Sequence, residues 1–412
     1  TKLSSNEMSI ILFVVALFLW VSNHFTLTSK WNNASKGFPR FLRILDEPNL
    51  YQAERLNLYE ERYPSKRLIS VSEDEEEAMD RLRDSKEYRV GQDDAFETDK
   101  CKAQYDWQLT TFVNCNTMHE LDISTLQTQN DEKRLDLINH GYWRDVWKAV
   151  EQDEDPVVLK TIRYEHDLSP RNYDRHRRDA VAMEHLTASP FVVDIYGFCG
   201  NSGLFEYSSE GDLERVVWPE ENDPDLSWSE VLAVAIQVAE GVAAVHNIDE
   251  EGKASIAHTD ISPGQFILID GVYKLNDFNR CRFIRWRRDV DEPCGYLVGN
   301  NPGKFRAPEE YAYKEQSEKV DVYSLGNVIY SLITGYWPFE KMKEKRVYGQ
   351  VMSGKRPKVN EEIWKNDNPA LQALLHAMER CWTHDPIERP SAREIEVYFK
   401  EQYAKIDTNT TR

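Results

Sequence analysis

Cysteine is scarce here: six in 412 residues, with no C-x-x-C pair among them. That excludes a disulfide-built miniature scaffold and a zinc-ribbon site. Basic charge is also short, with 51 Lys+Arg against 71 Asp+Glu and a net charge of -20. Nucleic-acid binders carry a basic footprint, so nucleic acid is excluded as a partner. No self-similarity recurs at a period of roughly 20–50 residues, which excludes a solenoid or propeller. Apolar residues are not lacking. At 41% hydrophobic and 11% aromatic, the chain has material for a sizeable core and is not disordered throughout.

One segment sits badly with a soluble protein. From Met8 to Val21 fourteen residues carry no charge, and Ser9 is the only polar one. Extended to Leu27, the stretch 8–27 reaches about 20 residues, the length that spans a bilayer. Trp20 and Asn23 serve poorly beside a cleavage site, so the stretch reads as a single uncleaved membrane anchor within residues 1–30. Lys30, Arg40 and Arg43 follow the span and Lys2 precedes it, which favours a cytosolic C-terminal side. The Asn33 and Asn409 sequons and the paired cysteines Cys101/Cys115 and Cys281/Cys294 favour the lumen, as in a type II protein. The lumenal orientation is the expectation adopted.

Residues 31–128 read as an acidic stem, with the run Glu73-Asp74-Glu75-Glu76-Glu77 solvated and an aromatic lead-in between Cys101 and Cys115. From residue 129 to 403 the pattern is dense, and 404–412 form a tail. Val146–Val150 and Val157–Ile162 are short β-rich runs, and Phe191–Gly197 and Leu204–Tyr207 add further strands. Between them Ala180, Met183 and Leu186 mark a helix. Ser227 and Glu230 have capping-box spacing, and Val231, Ala235, Val238, Val242 and Val245 then form one helical face. Strands first and helices later imply an α+β fold: a small β-rich lobe joined to a larger α-helical one. His140, His185 and His384 are scattered and read as surface or satisfied histidines.

His258-Thr259-Asp260 and Asn276-Asp277-Phe278-Asn279 follow, seventeen residues apart from Asp to Asp. Here residues 135–400 resemble a protein kinase, whose motifs read H-R-D-x-x-x-x-N and D-F-G. The resemblance makes Asp260 the catalytic base, Asp277 the principal metal ligand and Gln265 the second. Lys160, in Val157-Val158-Leu159-Lys160, falls on the phosphate-contacting lysine. Ala307-Pro308-Glu309 matches A-P-E, with a structural ion pair expected between Glu309 and Arg389. ATP and Mg²⁺ are the implied cofactors, with Gly141, Val146, Val158, Lys160, Glu206 and Ser208 around the nucleotide and Phe205 as gatekeeper. A protein is the implied substrate, phosphorylated at a membrane.

Departures bear on activity. Asn139, Gly141 and Arg144 stand where the phosphate loop has three glycines. Arg144 either weakens nucleotide binding or adds a phosphate contact. Asp179 replaces the helix glutamate that pairs with the lysine, with Glu184 as its rival. Thr259 replaces the Arg of H-R-D, and Ser262 stands where Ser/Thr kinases carry Lys. Pro302-Gly303-Lys304-Phe305-Arg306 resembles the tyrosine-kinase segment before A-P-E. Since Lys160, Asp260 and Asp277 remain, an active enzyme is expected. The alternatives are a membrane-tethered pseudokinase scaffold and a kinase of glycans or small molecules.

Overall fold

The computed structural model describes residues 100–109, 135–150, 155–187, 189–219 and 225–410. The span at 8–27, the acidic run and most of the stem lie outside the described residues. Strand β1 (Lys102–Ala103) comes from the stem. The small lobe is built from β2 (Leu135–His140), β3 (Arg144–Ala149), β4 (Val157–Ile162), β5 (Ile195–Cys199) and β6 (Ser202–Glu206). They form one antiparallel sheet in the order β2-β3-β4-β6-β5. The run at Phe191–Gly197 joins this sheet only from Ile195. Phe191 and Val193 bond instead to Leu275 of the other lobe, at 2.7 and 3.0 Å.

Helix α1 (Pro170–Leu186) meets the sheet through Asp179, which bonds Arg144 of β3. Ser169 caps it by accepting from Asn172 N–H, and Pro170 opens it with its φ already helical. Ala180, Met183 and Leu186 are fully buried, as their spacing implies.

In the large lobe α2 (Trp228–His246) begins at the Ser227–Glu230 capping box, and all five residues of its expected apolar face are buried. It is the one helix among the described residues long and apolar enough to cross a bilayer, and here it is packed into the core. The strands β7 (Ile256–Ala257), β8 (Phe266–Ile269) and β9 (Val272–Leu275) carry the loops of interest. Strand β10 (Arg282–Phe283) pairs with β7, and β11 (Arg285–Arg287) with β12 (Glu292–Pro293). Helix α3 (Lys319–Thr334) is buried along almost its whole length, as befits the centre of a helical lobe. Around it stand α4 (Glu344–Met352), α5 (Pro369–Cys381) and α6 (Ala392–Thr410). The expected two-lobed α+β architecture is therefore present.

The cysteine pairings differ from the expectation. Cys101 bonds to Cys294, 193 residues away, not to Cys115. Cys281 is a buried free thiol, and Cys199 is disulfide-bonded. The reason is visible in the sheet: β1 adds to the edge of β11, making a three-stranded β1-β11-β12 ribbon that brings Cys101 beside Cys294. Side-chain amides of Gln104 and Gln108 reinforce it. Both donate to Ile284 C=O, at 2.8 and 3.0 Å, and Trp107 stacks on His185 of α1.

Candidate active site

The loop after β7 is held by α3. Both oxygens of buried Asp321 accept backbone N–H groups, from His258 and Thr259, each at 2.7 Å. Thr259 has φ +59°, a left-handed conformation costly for a β-branched residue. Every polar group of Thr259 is engaged: its Oγ1 donates to Arg280 C=O at 2.7 Å and its C=O accepts from Arg306 at 2.6 Å. This turn presents Asp260, whose carboxylate accepts from Arg306 Nη2 at 2.5 Å, with Arg280 Nε at 3.8 Å. Burial alone would raise the Asp260 carboxyl, but Arg306 and Arg280 outweigh it and hold it below the ordinary range.

Asp277 lies in the loop after β9, with φ +63°. Gln265 bridges the two loops through its backbone, donating to Ser262 C=O and accepting from Asn276 N–H at 2.9 Å. The Asp277 Oδ1 accepts from Arg144 at 2.9 Å and from the Asn279 amide at 2.5 Å. Against the raising effect of burial, Arg144 and then Lys160 hold its carboxyl down to about 2.

The strand register explains why two cations face these acids. Val146 of β3 sits opposite Lys160 of β4, and Arg144 opposite Ile162. Alternation therefore puts Arg144, Val146 and Lys160 on one face of the sheet. Arg144 is buried and its other nitrogen reaches Asp179 of α1 at 2.5 Å. Lys160 makes no ion pair among the described residues. Its Nζ donates to Asn276 Oδ1 at 2.8 Å and lies 4.4 Å over the Phe205 ring. Burial first, then the neighbouring Arg144, lowers the Lys160 ammonium from its ordinary value.

Val158 pairs directly with Phe205, so both bulky groups crowd the same stretch of the pocket wall. Gly203 lies under the Phe205 ring, where a Cβ would come within 2.7 Å. Gly141 N–H is spent on Arg144 C=O at 2.8 Å, closing the β2–β3 turn on itself. The tip of that turn is fastened to α1, because Arg175 lies 3.8 Å over the Trp143 ring. Glu206 holds Lys274 at 2.9 Å, and Ser208 Oγ donates to Leu268 C=O.

The family model for the protein kinase domain matches residues 133–399. The chain belongs to the protein kinase family. Mitogen-activated protein kinase kinase kinase 7 of Bos taurus is 30% identical over 268 residues, covering 63% of this chain and 42% of the relative. Serine/threonine-protein kinase 12 of Arabidopsis thaliana is 25% identical over 283 residues, covering 67% of this chain and 56% of the relative. The chain thus matches about two fifths of the first relative and just over half of the second.

As a member of this family, the chain keeps the structural ion pair expected there. Arg389 donates to both oxygens of Glu309, at 2.8 and 3.2 Å, buried beneath the start of α3. The expected Lys160–Asp179 pair is absent; Arg144 makes it instead. Sequence reasoning also missed Arg306, the guanidinium nearest Asp260. Its signal was the loss of a cation from the catalytic loop, at Thr259 and Ser262, which left that carboxylate in need of one. Magnesium takes one or two carboxylates and completes its shell with phosphates and water. A single carboxylate at Asp277, reached by an exchangeable arginine and backed by the Gln265 loop, fits that requirement.

Proposed function

We propose that the chain is an ATP- and Mg²⁺-dependent protein kinase that transfers the γ-phosphoryl group to a protein hydroxyl. One observation carries the reading: the loops of Asp260 and Asp277 are joined through Gln265 and His258, with buried Arg144 on Asp277 and buried Lys160 on its neighbour Asn276. Phosphoryl transfer needs little covalent chemistry from a protein; positioning and charge supply most of the rate. Asp260, kept ionised by Arg306 and Arg280, accepts the proton of the attacking hydroxyl. Lys160 lies along the pocket wall where it meets the polyphosphate. Val146 and Val158 enclose the base, whose polar edge meets the backbone of Glu206 and Ser208. Asp277 and Gln265 would hold Mg²⁺, which supplies charge neutralisation for the phosphates when bound.

Serine/threonine-protein kinases stand among the relatives, which supports a Ser or Thr acceptor. The Pro302–Glu309 segment keeps tyrosine in the test panel. A second reading, a pseudokinase scaffold, draws on one fact: Arg144 already occupies Asp277 Oδ1, one of the two carboxylate oxygens that would serve a metal. Thermal shift with Mg·ATP, beside Asp277→Ala, separates the two. Stabilisation by Mg·ATP that the variant loses supports the enzyme, and peptide panels then assign the acceptor; no stabilisation leaves the scaffold.

We also place the domain in the lumen of the secretory pathway, tethered by residues 8–27. Two features support this: the Cys101–Cys294 bridge and the bonded Cys199. Disulfides persist in oxidising compartments and are rare in the cytosol. Protease protection of the domain in sealed microsomes, with a glycosidase-sensitive mass, is the expected result. Digestion of the domain in intact microsomes would put it in the cytosol.

A further inference from the structure

We infer that Arg144, not Lys160, is the residue that couples α1 to the metal loop, having taken over the ion pair that a strand lysine makes with a helix acid elsewhere in this family. The inference deepens the kinase reading and rests on it for its catalytic half. Three observations carry it. Among the described residues Arg144 alone bonds both acids, Asp179 at 2.5 Å and Asp277 at 2.9 Å. Lys160 is turned to a neutral partner, Asn276 Oδ1, and its ammonium is supported by the Phe205 ring. Asp179 is fully buried and one methylene shorter than glutamate, so the acid reaches less far toward β4.

Geometry accounts for the exchange. Arg144 stands two residues from the position opposite Lys160, on the same face and at the end of the β3–β4 pairing, opposite Ile162. A guanidinium carries donors on two separate nitrogens in a fixed fork, so one can stay on Asp179 while the other changes partner. An ammonium carries its three donors on one atom, so it lacks the two separate nitrogens by which Arg144 reaches both acids. Were Asp277 to hold a metal, the Arg144 nitrogen now on it would be free to change partner, while the bond to Asp179 would keep α1 against the sheet. Asp179 Oδ1 has no partner among the described residues, so a second donor is not already satisfying that helix acid.

Two measurements on the full chain test this, the first without nucleotide. Thermal unfolding is compared in two double-variant cycles, Arg144→Met with Asp179→Asn, and Lys160→Met with Asp179→Asn. The expected result is strong non-additivity in the arginine cycle and additivity in the lysine cycle. Coupling confined to the lysine cycle overturns the inference, whether or not the protein is active. The second measurement is Mg·ATP turnover. Arg144→Met should lower kcat on the order of 10²-fold, with partial recovery in Arg144→Lys. An Arg144→Met enzyme with unchanged kcat, altered only in melting temperature, reduces Arg144 to a structural prop and overturns the catalytic half. A wild type that never transfers phosphate, yet shows the arginine coupling, sinks the kinase reading and leaves the ion-pair exchange standing.

Discussion

Arg306 Nη2 lies 2.5 Å from the Asp260 carboxylate, although 46 residues separate them in the chain. The same guanidinium bonds Thr259 C=O and Pro302 C=O, at 2.6 and 3.0 Å, so it joins the catalytic turn to the end of the activation segment. Ser262 leaves the catalytic loop without its own cation, and Arg306 supplies one from outside.

Removing that cation should cost rate and shift the pH profile. Arg306→Ala is expected to lower kcat roughly 10–100-fold. The acid limb of the rate profile should move to higher pH, because the depressed carboxyl of Asp260 is released upward. Arg306→Lys should fall between. An acid limb that stays in place would show that Arg306 does not govern the charge on Asp260.

The Cys101–Cys294 bridge closes a long loop and holds the stem strand on the activation segment. Losing a native disulfide typically costs about 2–5 kcal/mol. Cys101→Ser and Cys294→Ser should each lower the melting temperature, and the double variant should be no worse than either. Amide exchange should quicken over β11 and β12, where the ribbon loses its third strand. Independent, additive losses would mean that the two thiols act separately.

Glu310 gives the domain a pH dependence of opposite sign to most carboxylates. Burial pushes its carboxyl up to about 7, against the pull of Arg306 and of the Ala307 N–H that it accepts at 2.7 Å. Its folded-state value therefore lies above that of the unfolded chain, near 4.3. The folded form binds the proton more tightly, so the stability that Glu310 contributes is fully present below about 4 and is lost as pH rises toward 7. Glu310→Gln should flatten that decline by as much as about 3 kcal/mol in unfolding titrations. A parallel decline in wild type and variant would assign it to other groups.

What the sequence disclosed was local or ordered along the chain. The α2 face and its capping box depend on residues a turn apart, so periodicity reveals them. Lys160, Asp260, Asp277 and the Glu309–Arg389 pair follow from motifs whose order survives divergence. The Arg144–Asp179 bond did not follow, because it needs the β3–β4 register and the depth of α1, which spacing does not supply. The cysteine connectivity was hidden for the same reason: six cysteines allow about 15 full pairings, and proximity in sequence is a poor guide among them. Only the β1–β11 pairing selects Cys101 with Cys294. The Arg306–Asp260 contact joins two motifs that were each legible, but nothing in either motif states that they touch.

The kinase should work without a phosphate on its activation segment. From Asp277 to Glu309 the sequence contains no Ser and no Thr, and one Tyr, Tyr296. Tyr296 is 3% exposed, and its hydroxyl donates to Ser317 C=O at 2.9 Å, so a modifying enzyme reaches it only if the segment opens. The residue that usually reads such a phosphate is replaced by Thr259, whose hydroxyl is occupied by Arg280 C=O. Other contacts do the holding: the Cys101–Cys294 bridge, the β1-β11-β12 ribbon and the Arg306 link to the catalytic turn. Phosphatase treatment of the purified chain should therefore leave kcat unchanged, while Cys101→Ser lowers it. Loss of activity on phosphatase treatment, with a phosphopeptide recovered from residues 277–309, would refute this account, since the segment would then depend on a modification that its fold hides.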